Sequence, residues 1–230
     1  AQAGARGHQG LQEKQLALQL ARRLQAHLEA AGVHVTLTRT RDVDVPLGER
    51  VASANRQAPD LFVSLHANSM PSRQLRARTE GIETYFLSAS ASGEAARRTA
   101  ARENQEAPAR KRSPGRDTLS LILEDLVRTE AHVDASRLAY AVHARLISAT
   151  RAFDRGVQQA PFFVLMGVEA PAILVEVGFI SHPQEGARLA SAAYQERLTG
   201  ALAQGVRAFL EENRRRDAQR PAPVARESAP

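Results

Sequence analysis

The sequence contains no cysteine and no tryptophan, and aromatic side chains make up only 4% of its 230 residues. Without cysteine, disulfides and thiolate metal sites are both excluded, so a bound metal has to be held by His, Asp and Glu. With so few aromatic rings, Leu, Val, Ile and Ala must fill the core. Hydrophobic residues reach 43%, which suits a globular domain. The length allows one sizeable core plus an insertion or tail. No apolar run approaches the roughly 18 residues of a membrane span, so a spanning segment is not expected. Ala1-Gln2-Ala3-Gly4-Ala5-Arg6-Gly7 carries neither an initiator Met nor a signal-peptide pattern, as expected of a processed or truncated chain.

The net charge is +6, with Arg-rich stretches over 97–116 and 214–216. Such an excess favours polyanions, either nucleic acid or an acidic polymer such as a cell wall. It is equally what solvated basic faces produce. Few aromatics interleave with the basic residues, which argues against nucleic acid as a partner.

Leu16, Leu20, Leu24 and Leu28 recur every four residues, which predicts a helix over 11–31 ended by Gly32. Val33 to Thr38 is short and β-branched and predicts a strand. A helix is expected over 47–58. The apolar run Leu61-Phe62-Val63-Ser64-Leu65 predicts a buried strand, and 82–87 another. A polar helix begins at 92, and Pro108 to Arg116 has nothing to bury and reads as mobile. Helices are predicted over 118–128, 134–149, 183–190 and 192–212. Strand-like runs lie at Phe162-Phe163-Val164-Leu165 and Ala172-Ile173-Leu174-Val175. Alternating strands and helices predict an α/β domain with a mostly parallel sheet flanked by helices. Residues 92–132 read as a helical insertion and 213–230 as a disordered tail.

Ligands of open α/β sheets bind beyond the carboxyl ends of strands, and three polar residues fall there. His66 follows the run ending at Leu65, where its ring would be free to ligate a metal; a plain hydrogen-bonded histidine fits the same place. Glu176 follows four apolar residues, so its carboxylate should be poorly solvated and its pKa raised, as suits a general base; a salt-bridged strand end is the alternative. Glu13 opens the long helix, where a carboxylate also complements the helix dipole. His27, His34, His132 and His143 show no paired ligand spacing.

Taken in order, the motifs Gly4-Ala5-x-Gly7-x-x-Gly10-Leu11-x-Glu13-Lys14, Val35-x-Leu37-Thr38-Arg39-x-x-Asp42, Asp60 to Ser69, Gly81-x-Glu83-Thr84-Tyr85 and Leu174 to Ser181 closely resemble the N-acetylmuramoyl-L-alanine amidases. Arg155-Gly156-Val157-x-Gln159-Ala160-x-Phe162-x-Val164-Leu165 and His182-Pro183-Gln184-Glu185 extend the match. The resemblance implies a catalytic domain over 1–212 with a twisted, six-stranded, mostly parallel sheet and helices on both faces. It implies Zn2+ as cofactor, Glu13 and His66 as ligands, and Glu176 as the catalytic glutamate. The family's first ligand is a His in an Asp-Pro-Gly-His-Gly-Gly motif ending the first strand. By spacing, that strand and its His are expected just upstream of Ala1. A chain without them is expected to hold zinc poorly and to be inactive. His8 sits where the family has no ligand. Residues 92–132 resemble the insertion of division-associated members, whose helix plugs the active site until a protein activator displaces it. Glu94, Glu103 and Glu106 are the candidates for a glutamate reaching the metal. Peptidoglycan as substrate, a role in cell division and a periplasmic location are implied in the same way.

Overall fold

The computed structural model describes residues 4–7, 10–106 and 130–219. The mobile segment expected around 108–116, the helix expected over 118–128, and His8 lie outside them. Helices α1 (Glu13–Glu29) and α2 (Leu47–Arg56) precede strand β1 (Phe62–Asn68), the single turn α3 (Arg73–Arg76) and strand β2 (Ile82–Leu87). Helix α4 (Glu94–Glu103) runs into a 3-10 turn, Asn104–Glu106. Then come α5 (Glu130–Thr150), β3 (Asp154–Ala160), β4 (Ala172–Phe179), α6 (Pro183–Ala190) and α7 (Ala192–Gln219).

The four strands form one sheet in the order β1-β4-β2-β3. β1 pairs parallel with β4 and β2 parallel with β3, while β2 meets β4 antiparallel. The sheet is therefore mixed, with a parallel pair on either side of one antiparallel seam. It has four strands among the described residues where the family resemblance implies six.

Side-chain alternation sends the two faces of β4 into two cores. Ile173, Val175 and Val177 pack with Leu16, Leu20, Leu24 and Leu28 of α1 and with α5 and α7. Ala172 and Leu174 pack on the opposite face with Leu47 of α2, Ala96 and Ala100 of α4, Tyr85 and Phe162. Helices thus cover both faces. No helix among the described residues is long and apolar enough to cross a membrane.

Three expectations are corrected. Phe162-Phe163-Val164-Leu165 is not a strand: residues 163–167 form a turn that buries Phe162, Val164 and Leu165 beneath α4. Val33 to Thr38 alternates in burial as an extended segment does, but it joins no ladder among the described residues. The last helix runs on to Gln219, past the point where a disordered tail was expected to begin. Strand β3 was not anticipated at all.

Candidate active site

Strand register assembles the site. His66 on β1 is the parallel partner of Glu176 on β4, and Glu83 on β2 is the antiparallel partner of the same Glu176. Register partners share a face, so the three side chains form a row across the sheet on the side that α4 covers.

Glu13 reaches this row from the first turn of α1. Its Oε1 accepts from His66 Nδ1 at 3.0 Å and from the Ala67 backbone N–H at 3.3 Å. Its Oε2 accepts from the Ala5 N–H at 2.7 Å, and the Glu13 N–H donates back to Ala5 at 2.9 Å. Gly4 and Ala5 are therefore held against the carboxylate. Gly4 adopts φ +63°, and a Cβ there would lie 2.6 Å from Glu13 Oε2. Only glycine fits both the left-handed backbone and the close approach.

The third contributor comes from α4. Glu103 Oε2 lies 2.8 Å from His66 Nδ1, so the imidazole N–H faces two carboxylates while Nε2 contacts Ser64 Oγ at 3.1 Å. Ligand atoms of Glu13, His66 and Glu103 all fall within 4.8 Å of one another. An imidazole and two carboxylates in a partly buried cluster suit a borderline divalent ion such as Zn2+. Of the glutamates anticipated on the insertion, Glu103 reaches the cluster. Glu94 lies at the opposite end of α4, paired with Arg97 and Arg98 on the exposed side. The side chain of Glu106 lies outside the described residues.

Glu176 is fully buried. Its Oε1 sits 3.4 Å from Arg102 Nη2, while Oε2 has no hydrogen-bond partner among the described residues. Burial pushes its carboxyl well above the ordinary carboxylate range; nearby Glu103 pushes the same way, and the Arg102 guanidinium only partly offsets them. Burial opposes a charged His66, but Glu103 and Glu13 outweigh it and hold the imidazole well above its usual value. Glu103, in turn, is disfavoured by burial yet drawn down to about 2 by His66 and Arg102. A base with raised proton affinity thus lies beside a cluster of ligating atoms, an arrangement able to activate water and protonate a leaving group.

Two groups here were not singled out from the sequence. Arg102 stands in an Arg-rich helix with nothing to set it apart. Glu83 appeared only within the Gly81-x-Glu83-Thr84-Tyr85 motif. It is buried and accepts from Arg155 Nε at 2.5 Å and Tyr85 OH at 2.6 Å. Its alternation with Tyr85 on β2 was the available signal.

A family model described as N-acetylmuramoyl-L-alanine amidase matches residues 1–208. The chain is 32% identical over 210 residues to the N-acetylmuramoyl-L-alanine amidase AmiA of Salmonella typhimurium, covering 90% of this chain and 71% of that protein. It is 32% identical over 209 residues to AmiC of Neisseria meningitidis, covering 90% of this chain and 49% of that one. Among solved structures, the amidase AmiC2 of Nostoc punctiforme superposes with a TM-score of 0.67 at 28% identity, over 91% of this chain and 90% of that one.

Proposed function

The chain belongs to the N-acetylmuramoyl-L-alanine amidase family, and from that premise we propose that it hydrolyses, with Zn2+, the amide between the lactyl group of N-acetylmuramic acid and the L-alanine of the peptidoglycan stem. The observation that carries this reading is the row formed by His66 and Glu176 as register partners, with Glu13 bonded to His66.

In this reading Glu13 and His66 hold the metal, beside the further histidine that the family motif supplies. Bound there, Zn2+ acts as a Lewis acid toward the amide carbonyl and makes water a better nucleophile. Glu176 accepts the proton of the attacking water and delivers it to the departing amine nitrogen. Its buried carboxyl has the raised proton affinity such a shuttle needs. Residues 1–212 form the catalytic domain, and the insertion at about 92–132 regulates it. Glu103 on α4 sits on the ligand cluster and blocks it until a protein activator withdraws the helix. Work on the wall during daughter-cell separation, in the periplasm, completes the proposal; the AmiA and AmiC likeness supports it.

The test is release of stem peptides from purified sacculi by the full-length protein and by its Glu176→Gln variant. A loss of at least about a hundredfold is expected from removal of a general base. Wild-type release by the variant would sink the assignment of Glu176.

A further inference from the structure

Helix α4 is lightly packed. The residues it buries are Ala96, Thr99 and Ala100, side chains too small to bring much apolar area out of water. Its hold on the body comes largely from the polar tip. Asn104 donates to the Pro161 carbonyl at 2.7 Å and accepts from the Phe163 N–H at 2.8 Å. Glu103 reaches His66. Arg102 makes four contacts inside the site: Nη1 to Asn68 Oδ1 at 2.7 Å and to the Ser69 carbonyl at 3.0 Å, Nε to Glu103 Oε1 at 3.0 Å, and Nη2 to Glu176 Oε1 at 3.4 Å.

Hydrolysis of the lactyl–alanine amide breaks the C–N bond and adds one water across it. The carbonyl carbon gains the water oxygen and leaves as a carboxylate. The nitrogen leaves with the protons as an ammonium. A carboxylate is therefore produced at the ligand cluster and a cation beside the base. The closed site already contains that pair, a carboxylate from Glu103 on His66 and a cation from Arg102 on Glu176.

We propose that Arg102 and Glu103 together shut the site as a mimic of the two products of amide hydrolysis, with Arg102 standing where the leaving ammonium emerges. This rests on the amidase reading. Arg102 is then an occupant of the leaving-group subsite, and it competes with substrate. The competition has a kinetic signature. If the closed state excludes substrate, the apparent KM is the intrinsic one divided by the open fraction. Opening the latch lowers KM and leaves kcat alone.

The experiment compares the natural chain with Arg102→Gln and Arg102→Lys, measuring kcat and KM on a soluble muramoyl-peptide and amide hydrogen exchange across Glu94–Glu103. Glutamine removes the cation, so KM is expected to fall about tenfold with kcat unchanged, and α4 amides to exchange faster. Lysine keeps a cation but loses the fork that reaches Asn68, Ser69 and Glu176 together, so its shift should be smaller in both readouts. An unchanged KM with unchanged exchange overturns the proposal. So does a fall in kcat at constant KM, which would make Arg102 part of the reaction machinery. Exchange reads the latch without turnover. Faster exchange in Arg102→Gln, with no hydrolysis by any form of the protein, would therefore strike the amidase reading and not the latch.

Discussion

Glu83 and Glu176 are direct antiparallel partners on β2 and β4, yet they are partnered unequally. Glu83 is held by Arg155 and Tyr85, whereas one oxygen of Glu176 has no hydrogen-bond partner among the described residues. Arg155 is fixed in turn over the Phe179 ring, its guanidinium carbon 5.3 Å from the centroid. Two adjacent buried carboxylates are tolerable because one is neutralised on the far side from the reaction centre.

Arg155→Met is therefore expected to destabilise by about 2–3 kcal/mol, because it strands the buried Glu83 charge. Combining it with Glu83→Gln should recover most of that loss, since no charge is left unpaired. Urea unfolding of the two single variants and the double variant measures the coupling. Additive losses would mean that the pair is not an energetic unit.

Glu103→Gln separates a blocking ligand from a catalytic one. A residue that supplies a donor only to the closed cluster should weaken Zn2+ binding when removed, yet raise basal activity. Losing one charged hydrogen bond to His66, roughly 1.5–3 kcal/mol, shifts the closed–open balance by tenfold or more. Competition of a zinc dye against the protein, alongside stem-peptide release, reads both quantities. A parallel fall in affinity and activity would assign Glu103 to the working site.

His143 bridges two strands, with Nδ1 to Thr84 Oγ1 at 3.0 Å and Nε2 to Asp154 Oδ1 at 2.8 Å. The hydrogen bond from His143, joined by one from the Gly156 N–H, holds the Asp154 carboxyl below its ordinary value. A depressed acid stabilises the fold above its unfolded pKa, and that share is lost as pH falls through the folded pKa. Because Asp154 is well exposed, the share is small. Asp154→Asn should cost under about 1 kcal/mol at pH 7. The gap should close once the pH lies below the range where Asp154 ionises. Urea midpoints at neutral and acid pH test this, and a gap that persists in acid would refute the linkage.

Gly178 lies two residues beyond Glu176 with φ +145°, and a Cβ there would meet Glu185 Cδ at 2.9 Å. Glu185 accepts from the N–H groups of Phe179 and Gly81, so it clamps the end of β4 to the start of β2. Gly178→Ala is expected to cost about 2–4 kcal/mol through backbone strain and overpacking. It should also lower kcat by shifting the strand that carries the base. A thermal melt together with turnover checks this; a variant with native melting would show that the clamp has slack.

The sequence announced elements whose burial is periodic. The four-residue leucine spacing located α1, and 82–87 was placed residue for residue as β2. It missed β3, Asp154 to Ala160, because an edge strand half open to water needs no apolar run. It misread Phe162 to Leu165 because hydrophobicity reports burial and not conformation; a turn can bury the same side chains. The grouping of Glu13, His66 and Glu176 was legible from flanking motifs, but the expected place beyond the strand ends was not met: His66 lies within β1 and Glu176 within β4, each strand running on past it. Arg102 was not legible, since one arginine among many differs from its neighbours only by where the helix aims it. Glu103 could be narrowed to one of three glutamates, and its choice over Glu94 depended on which end of α4 meets the sheet.

Arg102 and Glu103 are consecutive on a helix, so their side chains leave the axis roughly 100° apart. One points at Glu176 and the other at His66, and the angle between these targets is set by strand spacing. Inhibition of this kind is written in phase rather than composition. Substitutions at the exposed positions of Glu94 to Ala101 can accumulate, while Ala96, Thr99 and Ala100 are held by burial; deletion or insertion of a single residue there would rotate both groups off their marks. The length of α4 is therefore the property that natural variation should preserve, even where its letters drift.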